Sequence, residues 1–334
     1  MRWGILGPGR IARAFLTGLA SSATESAVAV GSRDVGRARA VADDFGVPRT
    51  HGSYEELLAD DGVEAVYVAL PNALHAQWSA AAARAGRHVL CEKPLGRSAA
   101  EAEAMFDIAR DCGVWLMEAF MYRFHPRTLA LAEMVGRGDV GEPRLLGASF
   151  GFTVTDTANV RLSTDLAGGA LMDVGCYAVN AARLLAGPVA GVSATARWAG
   201  SGVDETLAGT LEHASGSVSL VSCSLVSSHH NLIQVVGSEG IVDVPSAFTP
   251  PPDRPSTLVH TLGARGGEPR EISFAPVNQY TAEAEGFAAL VAAGAGDPAA
   301  AAELPQMPPA ESLDNAATID ALLRSARERH PVSL

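Results

Sequence analysis

Residues 2–12 read Arg-Trp-Gly-Ile-Leu-Gly-Pro-Gly-Arg-Ile-Ala, and this stretch decides the fold. Its apolar start predicts a strand, and the residues after Gly9 have helical periodicity. This is the G-x-G-x-x-A form of the dinucleotide fingerprint, in which Gly7 permits a tight turn, Gly9 lets a pyrophosphate approach the backbone and Ala12 packs the helix on the strand. An ordinary strand–helix turn is the alternative. The fingerprint predicts that a dinucleotide contacts Gly7, Pro8, Gly9, Arg10 and Ile11.

The order of elements predicts an α/β protein with two domains. Apolar strands alternate with helical patterns over residues 1–121, which predicts a Rossmann domain, a doubly wound parallel sheet with helices on both faces. Over residues 122–334 several strands follow one another, which predicts an α+β domain with a large open, mostly antiparallel sheet. Pro/Ala-rich loops are expected over 245–255 and 294–309.

Composition excludes several classes of protein. The 334 residues include 37 acidic and 25 basic side chains, a net charge of −12 that argues against nucleic acid as a partner. No apolar run reaches the roughly 20 residues that span a membrane. The four cysteines lack a C-x-x-C pair, and His229-His230 has no further ligand nearby, so we expect free thiols, no metal and a cytoplasmic protein. The strand that starts at Arg2 leaves no room for a signal peptide.

The end of the second predicted strand indicates which dinucleotide binds. Ser32 and Arg33 stand where an NAD site usually carries a carboxylate for the ribose hydroxyls, and Arg37 follows one turn into the next helix. Because a guanidinium can donate two parallel hydrogen bonds to a phosphate, we expect NADP. The alternative shifts the register so that Asp34 meets the ribose and NAD binds.

A lysine follows directly on the fourth predicted strand, in Glu92-Lys93-Pro94. Ligands bind at the carboxyl edge of such sheets, where a lysine can stabilise an alkoxide or polarise a carbonyl oxygen. A solvated surface lysine is the alternative, but the position favours a functional Lys93.

In the second domain, a helix predicted over 170–185 carries Asp173, Tyr177 and Asn180 at spacings of four and three, so that the three side chains share one face. A phenol near a lysine ammonium ionises below its ordinary pKa of about 10, which makes it an acid/base group. A helix cap formed by Asp173 and a buried, hydrogen-bonded Tyr177 are the alternatives.

Together these stretches resemble the Gfo/Idh/MocA oxidoreductase family. The resemblance covers essentially the whole chain and rests on residues 7–12, 70–75, 92–94, 118–126 and 168–180. It implies an N-terminal Rossmann domain, a second domain whose open sheet often mediates dimerisation, and hydride transfer between a nicotinamide and a hydroxyl or carbonyl carbon. It also implies that Lys93 is catalytic. The residues that it implies for the cofactor are Leu70, Pro71, Asn72, His75, Glu92 and Lys93, with Arg161 as a weaker candidate.

With a tyrosine at position 177, the chain resembles one branch of the family. That branch contains NADP-dependent D-xylose dehydrogenase, dimeric dihydrodiol dehydrogenase and glucose-fructose oxidoreductase. The resemblance implies a dehydrogenase of sugars or cyclic diols, assembled as a homodimer or homotetramer through the C-terminal sheet. Tyr177 is expected to remove the hydroxyl proton, while Asp173 and Asn180 orient the substrate. Phe124 and Phe152 are expected to form walls of the pocket. A glycosidase that uses NAD transiently and a non-catalytic dinucleotide sensor are the alternatives.

Overall fold

The computed structural model describes residues 1–263, 265–294 and 307–334. The chain divides into two compact units, which are Met1–Phe124 with Asn278–Leu313, and His125–Val277 with Asp314–Leu334. The division expected from the sequence put residues 278–313 in the second domain, whereas in the structure the described part of this segment belongs to the first unit. Most of the loop expected over 294–309 lies outside the described residues.

The first unit contains a six-stranded parallel sheet, as expected for a Rossmann domain. Its strands are β1 Arg2–Leu6, β2 Ser26–Gly31, β3 Arg49–His51, β4 Ala65–Val68, β5 His88–Glu92 and β6 Leu116–Ala119. They are arranged in the order β3-β2-β1-β4-β5-β6, and all of the pairs are parallel. The sequence predicts five of these strands and misses β3, because its three residues are polar and carry no apolar pattern.

Helices join these strands and cover the sheet. They are α1 Arg10–Ala20, α2 Val35–Phe45, α3 Tyr54–Leu58, α4 His75–Arg84 and α5 Ala99–Asp111. An aromatic core lies between helix and sheet: Phe15 stacks on Tyr67 with 3.9 Å between ring centroids and meets Trp3 edge-on at 5.3 Å. Phe287, from the far end of the chain, packs on Trp3 at 5.5 Å. This contact explains why a late segment belongs to the first unit.

The second unit contains a nine-stranded sheet in the order β14-β13-β12-β11-β7-β10-β9-β8-β15. The strands are β7 Pro143–Thr153, β8 Val189–Trp198, β9 Asp204–His213, β10 Val218–Ser224, β11 Val226–Gly237, β12 Gly240–Pro245, β13 Ser256–Leu262, β14 Pro269–Phe274 and β15 Val332–Ser333. Among these pairs only β7 with β10 is parallel. The expected mostly antiparallel sheet is therefore confirmed. The sequence misses β13, β14 and β15, which lie at or near the sheet edges.

The remaining helices are α6 Pro126–Arg137, α7 Cys176–Ala186, α8 Gln279–Gly294 and α9 Pro309–Glu328. Helix α7 packs on the middle of the second sheet, against β7 and β10. The buried side chains on this face include Leu207, Leu211 and Val221, whereas the residues that alternate with them face outward. One face of the sheet thus carries the core of the unit. No helix in the described ranges is long and apolar enough to cross a membrane.

Candidate active site

The candidate residues of the first unit gather at one edge of its sheet. Strands β2, β1, β4 and β5 are parallel neighbours in that order. The candidate residues 32–37, 7–11, 70–75 and 92–93 lie at the carboxyl ends of these strands, in the connecting loops and the first turns of the helices that follow. Since ligands of doubly wound sheets bind at this edge, four stretches predicted separately from the sequence share one location.

The turn after β1 requires a glycine. Gly7 has a φ of +96°, and a Cβ on it would lie 2.7 Å from the carbonyl oxygen of Ala69. Its N–H donates to the carbonyl oxygen of Gly31 at 3.0 Å. Gly9 precedes α1 in an extended conformation, and no side chain of the described residues caps that helix. The first N–H groups of α1 are therefore available to an anion such as a pyrophosphate.

The contacts of the side chains after β2 distinguish NADP binding through Arg33 from NAD binding through Asp34. Ser32 is 4% exposed, and its hydroxyl accepts a hydrogen bond from the N–H of Asp34 at 3.2 Å. The Asp34 carboxylate accepts from the N–H groups of Gly36 at 2.9 Å and Arg37 at 3.2 Å, and so caps α2. Arg33 and Arg37 are exposed, and their guanidinium groups make no ion pair with the described residues. The carboxylate that an NAD site would use is thus engaged by a helix, beside two accessible guanidinium groups.

His75 connects two of the loops. Its ring is fully buried, with Nδ1 2.8 Å from the carbonyl oxygen of Pro94 and Nε2 2.9 Å from that of Leu70. Between these contacts, Pro71 and Asn72 are half-buried, and the Lys93–Pro94 peptide bond is cis. In the structure, His75 acts on the loop that carries Lys93. Direct contact of its side chain with the cofactor stays a prediction.

Lys93 is half-buried, and its backbone N–H donates to the Glu92 carboxylate at 3.2 Å. The other oxygen of Glu92 accepts a hydrogen bond from the hydroxyl of buried Tyr67. Among the 25 lysine and arginine residues of the chain, Lys93 is the only lysine. A lysine changes its pKa readily with its surroundings, whereas an arginine stays charged. The only lysine therefore stands at the carboxyl edge of the sheet, where its ammonium could take part in proton chemistry.

Two further buried carboxyl groups belong to the first unit. Burial raises the pKa of Glu118 to about 7, although its Oε1 accepts from the N–H of Leu95 at 2.9 Å and the charge of Lys93 opposes the shift. Burial and the charge of Glu92 raise the pKa of Glu283, whose two oxygens have no hydrogen-bond partner among the described residues. Sequence reasoning missed Glu283, because α8 lies far along the chain and a single Glu in an apolar helix carries no motif.

Two other predicted residues have their described partners within their own units. Phe124 is 8% exposed, and its ring packs over Gly286 of α8, where a Cβ would lie 2.5 Å from Cε1 of the ring. Arg161 belongs to the second unit, where its Nε donates to Asp173 Oδ2 at 2.5 Å. The guanidinium of Arg161 also lies 5.6 Å from the ring centroid of Phe152. Within the second unit, Arg161 thus contacts two residues predicted for the substrate, and its contact with the cofactor stays a prediction.

The helix that carries Asp173 does not begin as a regular α-helix. Leu171–Gly175 forms a π-helical turn, and α7 follows directly. Asp204 of β9 accepts a hydrogen bond from the N–H of Leu171 at 2.7 Å, and a Cβ on Gly169, where φ is +121°, would collide with the Asp204 carboxylate. Burial raises the pKa of Asp204 to about 6. A π turn is wider than an α turn, and the shared face of Asp173, Tyr177 and Asn180 stays a prediction.

The ring of Tyr177 lies in an aromatic cluster. It is 4% exposed, with its centroid 5.7 Å from that of Phe150 and 5.4 Å from that of Phe248, and the two phenylalanine rings stack at 5.7 Å. Asn180, one turn further along α7, is fully buried. Sequence analysis missed Phe150 and Phe248. Phe150 reads as one apolar residue of a strand, and Phe248 lies in a proline-rich stretch that was expected to be only a loop.

Within the described part of the chain, no group of three or more His, Cys, Asp or Glu side chains is placed to hold a metal ion.

Comparisons with known proteins match both units. A family described as oxidoreductases with an NAD-binding Rossmann fold matches residues 1–120, and the GFO/IDH/MocA C-terminal domain matches residues 128–243. A similar protein is D-xylose 1-dehydrogenase (NADP(+)) 2 of Haloferax volcanii, 42% identical over 336 residues and 100% of both chains. Trans-1,2-dihydrobenzene-1,2-diol dehydrogenase of Mus musculus is 38% identical, with 75% of this chain and 76% of that one covered.

A solved structure agrees with these matches. The 3-ketoreductase of Actinomadura kijaniata, in complex with NADP and TDP-benzene, is 31% identical to this chain. It superposes with a TM-score of 0.88 over 97% of each chain. The predicted fold and the predicted oxidoreductase class are thereby confirmed. This chain belongs to the GFO/IDH/MocA oxidoreductase family.

Proposed function

We propose that the protein is an NADP(H)-dependent oxidoreductase that transfers hydride between the nicotinamide and a hydroxyl or carbonyl carbon of a sugar, an aldose such as D-xylose, or of a cyclic diol. The observation that carries the proposal is the end of β2, where Asp34 caps α2 and Arg33 and Arg37 remain for a phosphate. The Haloferax volcanii relative, named for D-xylose and NADP(+), supports the same cofactor and substrate. The mouse relative, named for a cyclic diol, supports a cyclic diol as an alternative substrate.

The first unit is proposed to bind the cofactor. The N–H groups at the start of α1, in the loop that begins at Gly7, would hold the pyrophosphate, because a helix N-terminus attracts anions. Arg33 and Arg37 would hold the 2′-phosphate through charge-assisted hydrogen bonds. Leu70, Pro71 and Asn72 would line the remainder of the nucleotide. When bound, NADP+ supplies the hydride acceptor.

The proton chemistry is assigned to Lys93 and Tyr177. In the oxidative direction Tyr177 accepts the hydroxyl proton, and the Lys93 ammonium stabilises negative charge on the substrate oxygen. Asp173 orients neighbouring hydroxyls, and its ion pair with Arg161 holds its carboxylate in place. Asn180, being fully buried, would act on the substrate only through its neighbours. The positioning of donor carbon and acceptor carries much of the rate.

The direct test is the near-ultraviolet absorbance of nicotinamide reduction by purified protein. NADP+ and NAD+ are each supplied with a panel of aldoses, cyclic diols and alkyl glycosides, and free sugar released from the glycosides is measured in parallel. We expect reduction of NADP+ with D-xylose or a related aldose, and slower reduction of NAD+. Sugar release without net reduction would identify the glycosidase, and NADPH binding without turnover in either direction would identify the sensor; each result contradicts the proposal.

We also propose a cytoplasmic homodimer or homotetramer assembled through the second sheet. Leu145, Val218, Leu220 and Leu232 are 37–49% exposed, and they alternate with buried residues on neighbouring strands β7, β10 and β11. An apolar strip of this kind on one face of a sheet is typical of a protein–protein contact. The cytoplasm would keep the four cysteines as the free thiols that they are here.

Sedimentation velocity tests the assembly. Leu220→Glu places a charge in the centre of the strip and is expected to convert the oligomer to monomer at micromolar concentration. The matched control is Leu129→Glu, because Leu129 is similarly exposed but lies on α6. A wild-type protein that sediments as a monomer would contradict the proposal, and so would a variant with the wild-type sedimentation coefficient.

A further inference from the structure

The ring of Tyr177 is held by a loop that no sequence motif marks. Phe248, which packs on it, is fully buried and comes from the connection between β12 and β13. Phe248 also stacks on Phe150, so that three rings support one another. Because the phenol ring has an aromatic neighbour on two sides, any displacement of Phe248 changes the space in which Tyr177 sits.

The backbone around Phe248 is fixed by Asn231 of β11. The N–H of Phe248 donates to Asn231 Oδ1 at 2.7 Å, and Asn231 Nδ2 donates to the hydroxyl of Thr249 at 2.5 Å. The N–H of Ala247 donates to the Asn231 backbone carbonyl oxygen at 3.3 Å. One side chain and its own backbone therefore hold three consecutive residues of the loop.

The start of the same loop is held by Arg127 of α6, whose side chain is 1% exposed. Its Nη1 donates to the carbonyl oxygens of Pro245 at 2.9 Å and Thr257 at 3.3 Å. Its Nη2 donates to those of Ser246 at 2.7 Å and Ala247 at 3.0 Å. The guanidinium thus joins both ends of the connection. It makes four hydrogen bonds from two nitrogen atoms, whereas a lysine would have a single nitrogen at this place.

This contact coincides with backbone strain. Ser246 has a φ of +48°, in the left-handed region that residues other than glycine rarely adopt. Such a conformation persists only where the surroundings hold it, and the carbonyl oxygens of Ser246 and its neighbours on both sides are those that Arg127 binds. The loop would relax without the guanidinium, and Phe248 lies two residues beyond the strained position.

We propose that Arg127 is a positioning residue for the reaction: by holding residues 245–247 it places Phe248 against Tyr177 and so fixes the phenol. The inference rests on the proposed proton-accepting role of Tyr177. Arg127 itself touches no reacting atom in this scheme. Its effect should appear in the turnover of bound substrate and not in the binding of the cofactor.

The test compares Arg127→Lys, Phe248→Leu and Tyr177→Phe with wild type, after circular dichroism has shown that each variant folds. Arg127→Lys and Phe248→Leu are expected to lower kcat by about 10- to 100-fold, the loss that a small misplacement causes, and to leave KM for NADP+ within about twofold. The matched control is Arg137→Lys at the exposed end of α6, which should keep the wild-type kcat. If Arg127→Lys does not fold, Phe248→Leu still tests the inference.

A double-mutant cycle distinguishes an effect that acts through the position of Tyr177 from a general disruption of the second unit. If Arg127 and Phe248 act through Tyr177, adding either Arg127→Lys or Phe248→Leu to Tyr177→Phe should change the residual kcat by no more than about twofold. Additive losses would overturn the inference, and so would wild-type kcat in Arg127→Lys or in Phe248→Leu while Tyr177→Phe is impaired. Wild-type kcat in Tyr177→Phe would instead overturn the proposed role of Tyr177, and the inference with it.

Discussion

The candidate residues of the first unit are placed by strands, whereas those of the second unit are placed by other side chains. In the first unit, short motifs follow four neighbouring parallel strands, so the sheet brings them to one edge. In the second unit, the position of Tyr177 depends on Phe248 and Arg127, which are far from it in the chain. A site built on strand ends can be recognised from local sequence, while a site built on packed side chains depends on contacts that the sequence does not display.

The two units also differ in which charged side chains they bury. The first unit buries Glu92, Glu118 and Glu283 and contains the only lysine. The second unit buries the guanidinium of Arg127 among backbone carbonyls and pairs Arg161 with Asp173. Burial raises the pKa of Glu118 and Glu283 in the first unit and that of Asp204 in the second. Arg127, whose pKa burial lowers to about 10, stays charged at neutral pH.

The largest effect is expected from Lys93→Met. Without the ammonium, nothing stabilises the developing charge, and kcat should fall by about a thousandfold or more. Fluorescence titration should show that NADPH still binds. Loss of NADPH binding would contradict the catalytic role and make Lys93 an anchor for the cofactor, and it would show that the sheet edge performs binding alone.

A smaller effect is expected from Arg33→Ala. Losing one bidentate phosphate contact should weaken the binding of NADPH by about 10- to 100-fold and leave the binding of NADH nearly unchanged. Dissociation constants for both nucleotides measure this difference. Arg39→Ala is the matched control, because Arg39 is an exposed arginine of α2, the helix that follows Arg33. Equal losses for NADPH and NADH would contradict a phosphate contact.

The smallest effect concerns stability and pH. The pKa of Glu118 is raised from its ordinary 4.5 to about 7, so its folded form binds the proton more tightly than its unfolded form does. Its contribution to stability is therefore fully present below pH 4.5 and is lost as the pH rises through 7. Over this window the loss is about 3 kcal/mol.

Glu118→Gln should remove that loss, because the amide oxygen can still accept from Leu95 N–H and carries no charge. Thermal melts at several pH values should show that the melting temperature of the variant rises relative to that of wild type as the pH increases from 5 to 8. Glu103→Gln, at an exposed position of α5, is the control. A constant difference between variant and wild type across this range would show that Glu118 stays ionised.

The parts of the fold that could be predicted are those with a repeated local pattern. Five strands of the first sheet, the glycine turn at Gly7 and the change to consecutive strands after residue 121 all follow from apolar periodicity and turn residues. Strand β3 could not be predicted, because three polar residues form a strand only through pairing with β2. The π turn before α7 was missed for a related reason, since residue spacing does not show which backbone hydrogen bond is formed.

By itself, the sequence determined the family, the position of the nucleotide loop and the single lysine after β5, because these depend on residues that are neighbours in the chain. The tertiary structure alone decided that Asp34 caps a helix, that Arg161 pairs with Asp173 and that Glu283 is buried in the first unit. It also decided that Arg127 holds the loop of Phe248. Partners distant in the chain meet only after folding, and their energetics depend on burial, which no local pattern reveals.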